Sequence, residues 1–240
     1  MSREINIVGA INETVASDII GYTSVLREEI DQEMTQIIAH NSKVKENNYI
    51  APEPLIVNIT SPGGMVIYGN AIIDAIDSLG VPIITRVLGA ALSMGQIIFT
   101  FGDYRIMENS SVLMYHGIGN NHQGTINKME VDLEFDKVLE NMGDNLIVQN
   151  TKITQEQLDY YKERSLNWYM SKSDAIENGT VTHDLRLDEV IDIAKKEWLE
   201  LYKEAEKEEM KSNKTKVQTV VGDKVISEHI EDGPEVAPRF

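Results

Sequence analysis

The strongest constraint on this chain is an alternation of short apolar runs with stretches of helical periodicity. Residues 55–59, 81–87, 104–107 and 111–115 are apolar segments of strand length, and 5–9 reads as another. Between the first two, Ile67, Ala71, Ile72, Ala75 and Ile76 recur at three- and four-residue steps over 66–79, and Gly80 ends the pattern. Asn12 can cap an earlier helix that carries Val15, Ile19, Tyr22, Leu26, Ile30, Met34 and Ile37 at the same spacing. Apolar runs without polar alternation suit strands covered on both faces, and helices between them supply the crossovers of a parallel sheet. The expectation is a layered α/β fold with mainly parallel strands.

The remaining segments extend that reading. Residues 40–51 form a polar loop closed by Pro52 and Pro54, and 89–101 begin with small residues and continue as an apolar helix. Residues 117–124 are a Gly/Asn-rich loop, followed by a long polar-faced helix over 130–148 and a shorter one over 154–164. After His183 the character changes. Residues 187–210 read as a charged helix with one apolar stripe of Val190, Ile191, Ala194, Trp198, Leu201 and Tyr202. Residues 214–230 suit a hairpin around Gly222-Asp223, and the last ten suit disorder. The organisation expected is a core domain over 1–183 and a C-terminal extension over 184–240.

Composition narrows the function classes. The chain has no cysteine, which removes disulfides, thiolate metal sites and a cysteine nucleophile. Its net charge of −17 argues against nucleic acid and anionic membranes as partners. No basic and then apolar leader is visible at the start, and no apolar run reaches the length of a membrane span. No histidine pair has metal-ligand spacing, and no metal or cofactor is expected. The location expected is the cytoplasm, or the host cytoplasm if the chain is viral.

Three segments bear chemistry. Ser93, in Gly89-Ala-Ala-Leu-Ser-Met-Gly95, follows a strand and opens a helix. There, unpaired N–H groups and the helix dipole favour developing negative charge. A serine at that place is equally well a helix cap, and from this segment alone the cap is favoured about two to one on the general preference for serine there. Ala91 also stands where a G-x-S-x-G elbow needs glycine. The run Ser61-Pro62-Gly63-Gly64 after a buried strand is either a tight turn or a source of free N–H groups for a peptide strand or an oxyanion. His116 ends an apolar strand and opens a glycine-rich loop, where it is either an ordinary surface histidine or a base within reach of a neighbouring strand-to-helix junction.

Taken together, these segments resemble the Clp proteolytic subunit (ClpP-like serine peptidases) and its phage relatives. Gly64 and Ser93 are 29 positions apart, as is usual in that family. Gly69 with Ala71-Ile72-Ile73-Asp74, the run Asn109 to Met114, and Gln123-Gly124 before a long helix are similar to its helix, its approach to the histidine and its handle. Ser171 to Gly179 is similar to its late segment. The resemblance runs over about 5–183. It implies a crotonase-like fold of stacked βαβ units making two sheets, with a long handle helix and assembly into rings. It also implies peptide or unfolded protein as substrate, Ser93 as nucleophile, His116 as base, and Gly64 and Met94 N–H groups as oxyanion hole. Ser61, Gly63 and Gly64 would bind the substrate strand.

The family's triad acid stands eight residues before the alanine at Ala175, and Asn167 occupies that position here. Either Asn167 orients His116, or Asp174 or Asp184 substitutes, or activity has been lost. Ser165 and Leu166 lack the charged pair used between rings, and the chain begins almost at its first strand. These features argue against a double ring and against docking to an AAA+ unfoldase. They suggest a divergent, phage-type member. The competing functions are a catalytically inactive ring subunit or scaffold, and a crotonase-type acyl-CoA enzyme.

Overall fold

Valine and isoleucine dominate the segments that pair, because branched side chains pack well on a pleated surface covered on both faces. The computed structural model describes residues 3–220, with side chains described over 3–208. One sheet is built from β1 (Arg3–Val8), β2 (Leu55–Ser61), β3 (Ile83–Leu92), β4 (Tyr104–Met107), β5 (Val112–Tyr115) and β6 (Trp168–Met170). Its order is β1-β2-β3-β5-β6, with β4 also paired to β3. The first five strands pair in parallel, and β6 joins β5 antiparallel. The helices are α1 (Glu13–Asn41), α2 (Val66–Asp77), α3 (Met94–Phe101), α4 (Ile126–Asn150), α5 (Gln155–Glu163), α6 (Lys172–Glu177) and α7 (Leu187–Val220). The mixed α/β architecture agrees with the sequence reading.

Several expectations change. Two sheets were implied, but the described strands form one connected sheet that forks at β3. The first half of β3 pairs with β4 through Ile84–Val87, and its second half pairs with β5 through Ala90–Leu92. Residues 89–92 are therefore strand rather than the approach to a helix. The physical cause is a bulge: Ile59 pairs with Val87 but Ser61 with Ala91, so β3 carries two extra residues there. Gly89 sits in that bulge at φ +81°, a conformation that a side chain resists. Strand β6 escaped the sequence reading because three residues carry no periodicity. The 40–51 loop is partly helical, since α1 reaches Asn41 and a 3-10 turn covers Glu46–Asn48. The hairpin over 214–230 is not formed as far as Val220, because α7 continues helically to that point; the rest of it lies outside the described residues.

Two buried groups tie the ends of the fold together. The Arg105 guanidinium donates to the carbonyls of Thr180, Gly102, Asn150 and Gly179 at 2.6–3.1 Å, linking β4 to the C-terminal end of α4 and the segment after α6. Burial lowers its pKa to about 10, against the opposing charge of Asp103. Along the β4 edge, Val190 and Ala194 of α7 pack on Ile84, Tyr104 and Ile106. Trp198 is fully buried and stacks on Tyr202, which meets Tyr49 edge-on. Tyr104 donates to Glu197 at 2.7 Å, and Lys195 pairs with Glu53 at 2.6 Å. Thus α7 covers the sheet edge and the segment before β2 with the same face. Truncating Trp198 to alanine should cost about 3–5 kcal/mol, the range for large-to-small changes in a core. Urea unfolding monitored by circular dichroism measures this, and a loss under 1 kcal/mol would mean that α7 is not docked.

Candidate active site

Ser93 lies where β3 ends and α3 begins, with φ +52° and ψ −124°. A serine held in that region is strained, and such strain needs surrounding structure to maintain it. The Ser93 N–H donates to the Met114 carbonyl at 2.7 Å, which fixes the junction to β5. The cap reading of Ser93 fails on geometry: its side chain makes no capping bond to α3. Its Oγ lies 2.8 Å from Nε2 of His116, which directly follows β5.

The glycine pair after β2 closes on this junction. A Cβ on Gly63 would stand 2.7 Å from the Ser93 Cβ and 3.2 Å from the Met94 nitrogen. A Cβ on Gly64, at φ +154°, would collide with the Ile11 backbone. Only glycine permits this approach. Ser61 holds the turn by donating to the Gly9 carbonyl at 2.7 Å and accepting from the Gly63 N–H at 3.0 Å. Met65 donates to Ile11, and Ile11 donates to Gly63. No hydrogen bond among the described residues takes up the N–H of Gly64 or Met94. Both residues line a cavity of about 370 Å³ that also contains Ser93 and His116.

The structure brings Asn167 near this pair without joining it. Helix α5 ends with bonds from Ser165 N–H to Lys162 and from Leu166 N–H to Tyr161, with Ser165 at φ +50°. This Schellman turn sends the chain back along β5. Tyr161 stacks flat on Trp168, with ring centres 4.7 Å apart, and Tyr115 pairs with Trp168. The ladder ends at that pair, and one more step in its register falls on His116 and Asn167. Yet Asn167 is exposed, and its amide donates to the Tyr169 hydroxyl at 3.3 Å. Among the described residues, the hydrogen bond to Ser93 is the one that His116 makes. The two carboxylates weighed as substitutes are engaged elsewhere. Asp174 completes a capping box with Ser171, and Asp184 pairs with Lys172 at 2.5 Å.

A charged group behind the cavity was not found from sequence. The buried Asp144 accepts from the Tyr115 hydroxyl at 2.7 Å, from Gln155 at 3.1 Å and from Lys162. Lys162 also meets Asp159 at 3.1 Å and Glu140 at 3.7 Å. Glu140 accepts the Ile118 N–H at 2.9 Å and so holds the loop after His116. Burial and the bond to Asp144 both push the Tyr115 phenol far above its ordinary value. Burial lowers the Lys162 pKa, but bonds to Asp144 and Asp159 outweigh it and the net shift is upward. One signal was available: Glu140 and Asp144 are like charges four apart on one helix face, a destabilising pair unless a cation intervenes. No cluster of three or more His, Asp or Glu side chains in metal-binding arrangement is found among the described residues. No helix among them is long and apolar enough to cross a membrane.

A model of the Clp protease family matches residues 19–186. The chain belongs to the Clp protease family. It is 27% identical over 127 residues to the ATP-dependent Clp protease proteolytic subunit of Cyanophora paradoxa, covering 52% of this chain and 64% of that protein. Proteolytic subunit 2 of Tropheryma whipplei (strain Twist) is 28% identical over 134 residues, covering 55% and 73% of the two chains. Proteolytic subunit 2 of Prochlorococcus marinus (strain MIT 9313) is 24% identical over 159 residues, covering 63% and 78%. The match therefore spans less than two thirds of the first relative's length. In the terms of this Clp family member, Ser93 and His116 fall inside the matched region, whereas α7 begins one residue beyond it.

Replacing Lys162 with methionine should destabilise the protein by about 1–3 kcal/mol, the cost of leaving buried charged groups unpaired. Because the folded pKa of Lys162 is raised, its contribution is complete below the ordinary lysine value near 10.4 and fades as pH rises above it. Urea midpoints of the two proteins should differ at pH 8, and the gap should narrow as pH rises above the ordinary lysine value. A gap that stays constant through the whole lysine titration would show that the Lys162 charge contributes nothing.

Proposed function

We propose that this chain is a serine endopeptidase of the ClpP type. The carrying observation is the 2.8 Å contact between Ser93 Oγ and His116 Nε2, on a serine held at positive φ beside two free N–H groups. In this reading His116 takes the Oγ proton as the hydroxyl attacks a peptide carbonyl, and returns it to the leaving amine. Water then enters by the same base and releases the acyl group from Ser93. The N–H groups of Gly64 and Met94 receive the oxyanion, each contributing roughly 10²–10³ in rate. Ser61, Gly63 and Gly64 carry the substrate strand. Asn167 orients His116 after a rotation from Tyr169; the support is that one step beyond the β5–β6 ladder falls on these two residues. Residues 1–183 act as the peptidase domain and 184–240 as an extension, whose helix α7 packs on that domain through Val190, Ala194 and Trp198.

Assembly into a homo-oligomeric ring is part of the proposal. On α4, Val131, Phe135, Val138 and Met142 share one face and are 51% to 63% exposed, while Ile126 and Leu133, 70% and 49% exposed, lie on the opposite side. An apolar helix face of this kind is costly in water and marks a contact surface. The substrates proposed are peptides and unfolded proteins. The relatives' names call those proteins ATP-dependent, but an ATPase partner is not part of this reading.

One observation favours a second reading, a ring subunit without turnover: His116 lacks a carboxylate partner and Asn167 is bonded elsewhere. Labelling by a fluorophosphonate probe separates the two. The wild type should label, and Ser93→Ala should neither label nor cleave while assembling normally. Cleavage retained in clean Ser93→Ala protein would overturn the assignment. A single Asp-to-Asn change in a serine-protease triad lowers kcat about 10⁴-fold. Asn167→Asp should therefore raise kcat, by roughly 10- to 10³-fold if geometry is kept, because a carboxylate supports the imidazolium. Asn167→Ala should lower it. Equal turnover of Asn167→Ala and wild type would remove Asn167 from the machinery.

A further inference from the structure

The cavity that opens at Ser93 is unequal in character. Its flanks are apolar, formed by Val66 and Met94 on one side and Ile97 and Leu139 on another. Its far wall on α4 presents Glu140, Gly143 and Asp144. Gly143 faces Ile97, and a Cβ there would stand in ordinary contact with the Ile97 side chain, at 3.4 Å from its Cδ1. The two carboxylates line the cavity, whereas Lys162 stands behind them and is not part of the lining. Both oxygens of Asp144 are already bonded. Glu140 is different. Its Oε1 accepts from Ile118, but its Oε2 has only the 3.7 Å approach of Lys162, and its side chain is 26% exposed.

Counting Glu140 and Asp144 against Lys162, the wall carries an excess negative charge, and Asp159 at 3.1 Å from the lysine adds to it. The charge of the whole chain, −17, has the same sign. A negative field concentrates cationic ligands, most strongly in a cleft with low-dielectric walls. Apolar flanks ending in a partly satisfied carboxylate fit a side chain with an aliphatic stem and a cationic head. The cavity opens at Ser93, within reach of the side chain of the residue that Ser93 acylates.

We infer that this site selects substrates with lysine or arginine on the acyl side of the cleaved bond, held by Glu140 at the far wall of the Ser93 cavity. The inference rests on the peptidase reading above. The test compares two fluorogenic peptides that differ only in lysine or norleucine before the cleaved amide, which share a stem and differ in charge. The wild type should show a kcat/KM for lysine higher by roughly 10- to 100-fold, the range for a hydrogen bond to a charged group. Glu140→Gln, which keeps the acceptor for Ile118, should narrow that ratio by about tenfold, mainly through KM. The same uncleaved peptides titrated into Ser93→Ala protein should show the same preference in Kd. Turnover with equal or better use of norleucine overturns the pocket inference and leaves the peptidase reading intact. No turnover with lysine-selective binding supports the pocket and overturns the peptidase reading. Equal binding of both peptides to Ser93→Ala overturns the pocket.

Discussion

The candidate site depends on how β3 changes partners. Its first half is held by β4 and its second half by β5, and the bulge at Gly89 makes the transfer. The ladder with β5 continues to the bond from Ser93 N–H to Met114, so Ser93 is registered two residues before His116. A pair of residues 23 apart in sequence thereby comes within hydrogen-bond distance. The positive φ of Ser93 is maintained by the same arrangement. Its strand is anchored on one side by Met114 and pressed on the other by Gly63, and α3 begins immediately after it. Strain of this kind persists where neighbours over-determine the backbone.

Behind that backbone lies an electrostatic arrangement that burial makes consequential. Asp144 and Lys162 join α4 to α5, and Tyr115 ties both to the last residue of β5. Glu140 continues the connection to the loop after His116. Charges removed from water are tolerated only when paired and hydrogen-bonded. The pairing here thus holds the position of His116 and the start of its loop together with the far wall of the cavity. The Asn120 and His122 side chains fasten the same loop to Asp136 of α4, at 3.3 Å and 2.7 Å. Helix α4 serves at once as the floor of the site and as the exposed apolar surface proposed for assembly.

Much of this was legible in the residues. The spacing of Val15 to Ile37 marked α1, and the apolar runs at 55–59 and 111–115 marked central strands, because burial on both faces removes polar alternation. The residues of the site stood out as a glycine pair, a serine at a strand-to-helix junction and a histidine at a strand end. What was not legible depended on distant pairing. Strand β6 exists because β5 offers an edge and Tyr161 stacks on Trp168. The fork in the sheet comes from a register shift that no local pattern records. The helix to Val220 takes up the first part of the expected hairpin, and Gly222-Asp223, which suggested its turn, lies outside the described residues.

By itself, then, the sequence determined the α/β alternation and which residues could do chemistry, since periodicity, glycine conformation and side-chain type are local properties. Tertiary structure decided how those residues meet. It gave the Ser93 side chain to His116 instead of to the start of α3, left Asn167 bonded to Tyr169, and gathered Glu140, Asp144 and Lys162 at one cavity. The physical reason is that hydrogen bonds and charge pairing act through space over a few ångströms, and only the register of β3 on β5 and the turn after α5 bring these distant positions within that range.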